Sequence, residues 1–365
     1  MKLLYITNGI NGAGGLERVL SIKASYLAEQ LGYEVTILCL NENHLNAFYT
    51  FSDKITLHSI TVSGNPMHYA FHYIKGIRKT VAYVKPDVIA VCDDGLKGFF
   101  VPFILGKNTP IIYERHVSKE IEMNVDFSIL KKASIQLKWF LMSELAQKFD
   151  AFVVLTKGNV KEWNRLKNIK IIPNPTSFYP SASSHLTTKK VISVGKQGYQ
   201  KGYDRLLKAW KIVCKTIPDW KLEICGKIEP TENLNALTNE LKIQHCVFFH
   251  PPTKDIEEKY QEASLYVMSS RFEGFGMVLI EAMACGLPCV AFDCPHGPAD
   301  IITHQEDGIL VPNGNEAELA KALVQLMEDD MLRKQMGQQA KVNVRRYLPE
   351  LVMPQWDALF KKLVH

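Results

Sequence analysis

Short apolar runs recur along this chain, each closed by a polar or glycine-rich turn and followed by a stretch with helical spacing. Residues 2–7, 34–40, 55–60, 88–92, 110–114 and 151–155 read as buried strands, because each is a run of four to eight largely apolar, β-branched or aromatic residues. Between them, 16–31 and 67–84 carry the apolar period of helices. Gly32 closes the first, and Thr156 is placed to cap a helix after the sixth run. Strands alternating with helices argue for a parallel sheet covered on both faces. The prolines and serines of 173–184 interrupt this rhythm and mark a linker. It then restarts, with strands expected at 191–194, 221–225, 247–249, 265–268, 288–292 and 309–311, and a helix near 203–215.

The fold class that follows is α/β, with two doubly wound, Rossmann-like domains in series. The first spans 1–175 and the second 185–346. A tail at 347–365, with Trp356, Leu359, Phe360 and Leu363 at helical spacing, is expected to dock on the body. Ligands of such sheets bind outside the carboxyl ends of the strands, so two sheets facing each other would make a cleft with strand ends on both sides. The run 127–149 fits a sheet protein less simply. Apolar positions 130, 133, 137, 141, 145 and 149 form one series, Ile135, Trp139 and Met142 a second, and Lys131, Lys132 and Lys138 lie among them. That pattern more often belongs to a helix wedged between neighbours, and less often to one lying on a membrane surface.

Length and composition agree with two ordinary soluble domains: 365 residues, 22% of them charged. The opening run turns polar at Thr7, too soon for the apolar region of a signal peptide. No run approaches the ~20 apolar residues of a membrane span. Eight scattered cysteines without a Cys-x-x-Cys pair fit reduced, buried thiols and a cytosolic protein, with peripheral membrane association left open. The net charge of +5 is uneven: residues 1–180 hold 21 basic and 15 acidic side chains, residues 181–365 hold 22 and 23. A basic first half suits an anionic surface or a phosphate-bearing partner, and also plain solubility.

The candidate chemistry gathers at the ends of the expected strands. In Ser269–Gly286, Gly274 and Gly276 flex a loop that opens a helix at Met277, with Glu273 before that helix and Glu281 in its second turn. A helix start of this kind favours phosphate through unpaired N–H groups and the helix dipole. Gly195, Lys196 and Lys201 follow the first strand of the second domain. Two ammonium groups there would stabilise charge on a departing diphosphate, although surface lysines look the same in sequence. The loop 8–15, rich in glycine up to Gly14 and Gly15, is no dinucleotide fingerprint, since Glu17 stands where its last glycine belongs. His116 ends the 110–114 strand region, where a His binds a hydroxyl or a reacting group. Asp93 and Asp94 superficially match an acidic metal motif but are read as loop chemistry facing an acceptor, so no metal is expected. Neither a Cys/His ligand spacing nor a Gly-x-Ser-x-Gly elbow occurs.

Glu273 and Glu281, seven residues apart, resemble the Glu-x7-Glu signature of retaining glycosyltransferases of family 4. The likeness extends to Gly12–Gly15, Ile172-Pro-Asn-Pro, Gly195 with Lys196, Lys201-Gly202, Ile224-Cys-Gly226 and the 307–313 segment, and so covers nearly the whole chain. The resemblance implies a GT-B fold with the donor held mainly by the second domain, and a last helix that returns to the first. It also implies roles. Glu281 would bind the ribose and Glu273 would lie by the donor sugar. Lys196 and Lys201 would hold the diphosphate with the backbone of Gly276, Met277 and Val278, and Gly14 and Gly15 would approach it. His116 would contact the sugar near the reacting carbon. Gly195, Gly226 and Phe275 fall among the donor-binding positions. Lys196 stands where the family often has Arg, keeping the charge but losing the bidentate fork. The segment 293–300 replaces a commoner glycine-rich one and resembles bacterial enzymes of surface polysaccharide or lipid-linked oligosaccharide synthesis, many of which use UDP-hexoses or UDP-N-acetylhexosamines. The expectation is metal-independent transfer with retention from a UDP-sugar to a glycan or lipid-linked glycan, with no nucleic-acid partner. A nucleotide-sugar epimerase or hydrolase, an NAD-dependent oxidoreductase using Glu42 as ribose acid, and a non-catalytic sugar-binding protein are the rivals.

Overall fold

The computed structural model describes residues 1–42, 47–93, 95–122 and 127–364. Asp94, read above as loop chemistry, and the last residue of the expected 347–365 tail lie outside them. The chain forms two compact units, one of residues 1–175 with 349–365 and the other of residues 176–348.

The first unit holds a seven-stranded parallel sheet of β1 (Lys2–Thr7), β2 (Glu34–Leu40), β3 (Thr56–Ile60), β4 (Val88–Cys92), β5 (Ile111–Glu114), β6 (Ala151–Val154) and β7 (Ile169–Ile171). The strand order is β3-β2-β1-β4-β5-β6-β7. Its helices are α1 (Gly15–Glu29), α2 (Pro66–Val84), α3 (Val101–Leu105), α4 (Ile129–Ala146) and α5 (Lys157–Glu162). Period-two alternation splits each of the inner strands β1, β2, β4, β5 and β6 between two cores. Leu3, Tyr5, Val35, Ile37, Val88 and Ala90 pack on one face, and Leu4, Ile6, Leu38, Ile89, Val91 and Tyr113 on the other. Both faces are buried, which is why these strands read as continuous apolar runs.

The second unit repeats the scheme with β8 (Lys190–Val194), β9 (Lys221–Cys225), β10 (Val247–His250), β11 (Leu265–Met268), β12 (Cys289–Asp293) and β13 (Gly308–Pro312), in the order β10-β9-β8-β11-β12-β13. Around it lie α6 (Tyr203–Thr216), α7 (Leu234–Leu241), α8 (Ile256–Gln261), α9 (Met277–Ala284), α10 (Pro298–Ile301), α11 (Glu316–Glu328) and α12 (Asp330–Asn343). The tail helix α13 (Pro349–Val364) belongs to the first unit. It packs against α1 and inserts Val352, Met353, Trp356 and Phe360 into that unit's core.

In α4 the series Ile135, Met142 and Leu145 is the buried one, whereas Ile129 and Leu130 are 86% and 83% exposed and Leu137 and Phe140 also face solvent. No helix among the described residues is long and apolar enough to cross a membrane. All eight cysteines are free thiols, seven buried and Cys214 half-buried.

Candidate functional site

A doubly wound sheet opens a crevice where its strand order reverses. In the second unit that point lies between β8 and β11, so the loops 195–202 and 269–276 emerge side by side. They are stitched together. Arg271 N donates to the Gln200 carbonyl at 2.8 Å, Gln200 Nε2 to the Phe272 carbonyl at 3.2 Å, and Ser269 Oγ to the Lys201 carbonyl at 2.8 Å. The Arg271 guanidinium adds a two-pronged grip on Asp204 at 2.8 and 2.7 Å. Burial pushes the Asp204 carboxyl up, but the hydrogen bonds and charge of Arg271 outweigh it and hold the group below its ordinary value.

Across this seam Lys201 Nζ meets Glu273 Oε1 at 2.7 Å, with Ser270 Oγ donating to the same oxygen at 2.6 Å. The Glu273 N–H donates to the Pro295 carbonyl at 2.7 Å, which fixes the base of the acid. The lysine stem reaches its place only because Gly195 has no side chain: a Cβ there would lie 2.7 Å from Lys201 Cε. Gly226 lies directly on Gly195, where a Cβ would sit 2.0 Å from the Gly195 carbonyl oxygen.

Gly276, at φ +103°, starts α9. The N–H groups of Met277 and Val278 belong to the helix's first turn, ahead of any intrahelical acceptor. Phe275 is buried, its ring edge-on to Tyr347 with centroids 5.5 Å apart. Glu281, one turn inside α9, is fully buried; Oε1 accepts from Ser177 Oγ at 2.8 Å and Oε2 from the Tyr260 hydroxyl at 3.3 Å. The structure therefore joins Lys201 to Glu273 and sets Glu281 among hydroxyl groups. Lys196 is directed elsewhere: its side chain is 61% exposed and pairs with Glu229 at 2.9 Å.

In the first unit the reversal lies between β1 and β4. Asn8 Nδ2 donates to Asp93 Oδ1 at 2.9 Å across it. Gly14 caps α1 and Gly15 is its first residue, and the Glu17 carboxylate lies so close that a Cβ on Gly12 or Gly14 would meet it. Glu42 accepts from the N–H groups of Ile10 and Asn11, so a carboxylate holds part of the loop a dinucleotide phosphate would need. His116 follows β5 and its Nε2 lies 3.2 Å from Glu114 Oε2, an oxygen that also takes the Lys23 ammonium. The Cys92 sulfur lies within 4.8 Å of this carboxylate and imidazole. The cluster already contains its cation in Lys23.

Arg271, Ser270, Ser177, Tyr260 and Lys23 escaped the sequence reasoning. Proximity to a motif was the signal available for Ser270, Arg271 and Ser177, and Tyr260 and Lys23 had none.

The two loops and α9 fall within residues 179–343, which match the family described as glycosyl transferases group 1. An uncharacterised glycosyltransferase of Haemophilus influenzae is 31% identical over 98% of this chain and 99% of its own length. The chain belongs to the group 1 glycosyl transferases. The amylovoran biosynthesis glycosyltransferase AmsD of Erwinia amylovora is 30% identical to this glycosyltransferase over 98% of both chains. Among solved structures, Anabaena HepE in complex with UDP-glucose shares the fold of the transferase at a TM-score of 0.79 and 18% identity, over 99% of this chain and 100% of that one. Both units are therefore Rossmann-like domains of a GT-B type α/β glycosyltransferase.

Proposed function

We propose that this glycosyltransferase moves a hexose or N-acetylhexosamine from a UDP-sugar to a glycan or lipid-linked glycan of a cell-surface polysaccharide, with retention at the sugar carbon and without a metal. The observation that carries the reading is the Lys201–Glu273 pair at the strand-order reversal beside the start of α9. It puts one cation, one acid and a set of helix N–H groups within one seam. Relatives support the substrate class: one is named for amylovoran synthesis, and HepE was solved with UDP-glucose bound.

In this reading the diphosphate lies on the N–H groups of Gly276, Met277 and Val278 and on Lys201, which gains strength as charge develops on the leaving phosphate. These donors and the ammonium supply the positive charge that metal-dependent transferases take from an ion. Lys196 swings from Glu229 to the phosphate. Glu281 takes the ribose hydroxyls in place of the Ser177 hydroxyl, a like-for-like exchange of donors on a buried carboxylate. Glu273 lies by the sugar, Gly195, Gly226 and Phe275 shape the floor, and His116, Gly14 and Gly15 are the first unit's contribution. The exposed apolar residues of α4, flanked by Lys131, Lys132 and Lys138, rest on an anionic membrane surface near a lipid-linked acceptor.

The test is incubation with a panel of UDP-sugars and glycan acceptors in EDTA, with NMR of the product's anomeric centre. An α product from an α donor is expected. Inversion, a strict need for Mg²⁺ or Mn²⁺, or epimerised sugar formed without acceptor would each overturn the corresponding part.

A further inference from the structure

Lys23 lies in the middle of α1, yet its side chain is 1% exposed, as is that of Glu114. Among the described residues, three groups surround the ammonium. It donates to Glu114 Oε2, sits 3.4 Å from the ring centroid of Trp356, and lies 5.7 Å from that of Tyr5. Trp356 comes from α13, so the last helix of the chain closes the pocket around a cation held by the first. A buried ion pair of this kind costs desolvation on both sides and is weak evidence for stability alone. It stands at a strand end, two residues from His116.

The third group on Glu114 explains its place. His116 Nε2 lies 3.2 Å from the same Oε2. Among the described residues, His116 Nδ1 and Glu114 Oε1 are buried without a hydrogen-bond partner. A carboxylate accepts only, so Nε2 is the donor in this contact, and in the neutral ring the lone pair then falls on Nδ1. Burial pushes the Glu114 carboxyl up, but the Lys23 charge and the His116 hydrogen bond outweigh it and hold the group below its usual range. Lys23 thus keeps Glu114 ionised without requiring a charge on the imidazole. The Cys92 thiol on β4 lies beside this pair, its sulfur within 4.8 Å of the carboxylate and the imidazole, while the Arg115 guanidinium lies over the Trp163 ring.

We infer that Lys23, Glu114 and Trp356 are positioning residues for His116: together they hold its ring as the neutral Nε2–H tautomer, with Nδ1 kept as an acceptor for a substrate hydroxyl. The role of His116 as a sugar contact rests on the reading given above; the relay itself does not. Nδ1 is buried, so the inferred contact requires the ring to turn about its Glu114 hydrogen bond as the hydroxyl arrives.

The test is ¹⁵N-histidine NMR of the full chain, which reads tautomer and titration midpoint directly, alongside kcat and KM for the best donor of the panel. In the parent protein His116 should be the Nε2–H form at neutral pH. Lys23→Met leaves the carboxylate without its lysine, so the ring should take the charge and its midpoint should rise by roughly one pH unit or more. Trp356→Leu should move it the same way by less. Lys23→Met with Glu114→Gln removes both charges and packs as a neutral pair, so the midpoint should fall to the parent's or below; this variant serves if the single one does not fold. Lys23→Met should lower kcat more than it raises KM. A parent ring in the Nδ1–H form, or equal midpoints in all variants, would overturn the relay. If the midpoints move but His116→Ala leaves turnover intact, the relay stands and the sugar-contact reading fails. If His116→Ala abolishes turnover while the midpoints stay fixed, the reverse holds.

Discussion

Each unit of this glycosyltransferase carries a Lys–Glu pair at the carboxyl end of its sheet, and the two pairs differ in one physical respect. Lys23–Glu114 is sealed, with both side chains 1% exposed under the face of Trp356. Lys201–Glu273 is open on one side, with 18% and 7% exposed, and its lysine passes over a glycine rather than under an aromatic ring. Charge that water cannot reach can hold only its neighbours in place. Charge that is partly reachable can change partners, and a lysine that leaves a carboxylate for a phosphate must be of that kind. In the proposed reading the same residue types would serve positioning in one unit and ligand binding in the other, with burial deciding which.

The comparison can be broken by removing one acid from each pair. Glu114→Ala should cost about 3–5 kcal/mol in the unfolding of the first unit, because it strands a buried ammonium. Glu273→Ala should cost the second unit far less, since Lys201 can turn to solvent; chemical denaturation followed by unit-specific probes measures both, and equal losses would erase the distinction. Lys201→Ala should reverse the order in activity. Turnover should fall on the order of 10²–10³-fold with little change in stability, because the lost charge acts on the leaving phosphate. Acid gives a gentler probe. The Glu114 carboxyl is held below its ordinary value by Lys23 and His116 against the effect of burial, so its contribution is complete above the ordinary carboxylate range. That contribution drains as pH falls through the lowered value. Stability measured from pH 6 downward should fall more steeply in the parent than in Lys23→Met with Glu114→Gln, and parallel curves would count against the assignment. The smallest effect should come from Lys196→Ala: its solvent-screened pair with Glu229 adds little to stability, so only donor affinity should change.

The inner strands were legible because burial on both faces makes them continuous apolar runs, short and bounded by turn residues. β7 was missed since Ile169–Ile171 is a three-residue edge strand with Lys170 exposed at its centre. In α4 two apolar series share nearly one spacing, and only packing reveals that Ile135, Met142 and Leu145 are the covered ones. The site was legible to different depths. Gly276, Glu273 and Glu281 sit within one motif, and a helix start is a local event. Lys201–Glu273 joins residues 72 apart, and the residues alone offered two surface lysines as readily as a phosphate clamp. Lys196 and Lys201, five apart on one loop, were read as partners; the fold gives them separate acids. Lys23 was invisible, because a lysine between Ile22 and Ala24 reads as a solvated helix position until α13 is laid over it.

In the proposed reading the seam between β8 and β11, with α9, holds the nucleotide, and Glu281 is its ribose acid. Calorimetric titration in EDTA with UDP and with 2′-deoxy-UDP tests it most directly. The parent should bind UDP more tightly than the deoxy nucleotide. Glu281→Ala should lose about 1.5–3 kcal/mol of UDP affinity and with it the preference between the two. A Glu281→Ala protein that binds UDP as tightly as the parent, and still prefers it, would contradict the account.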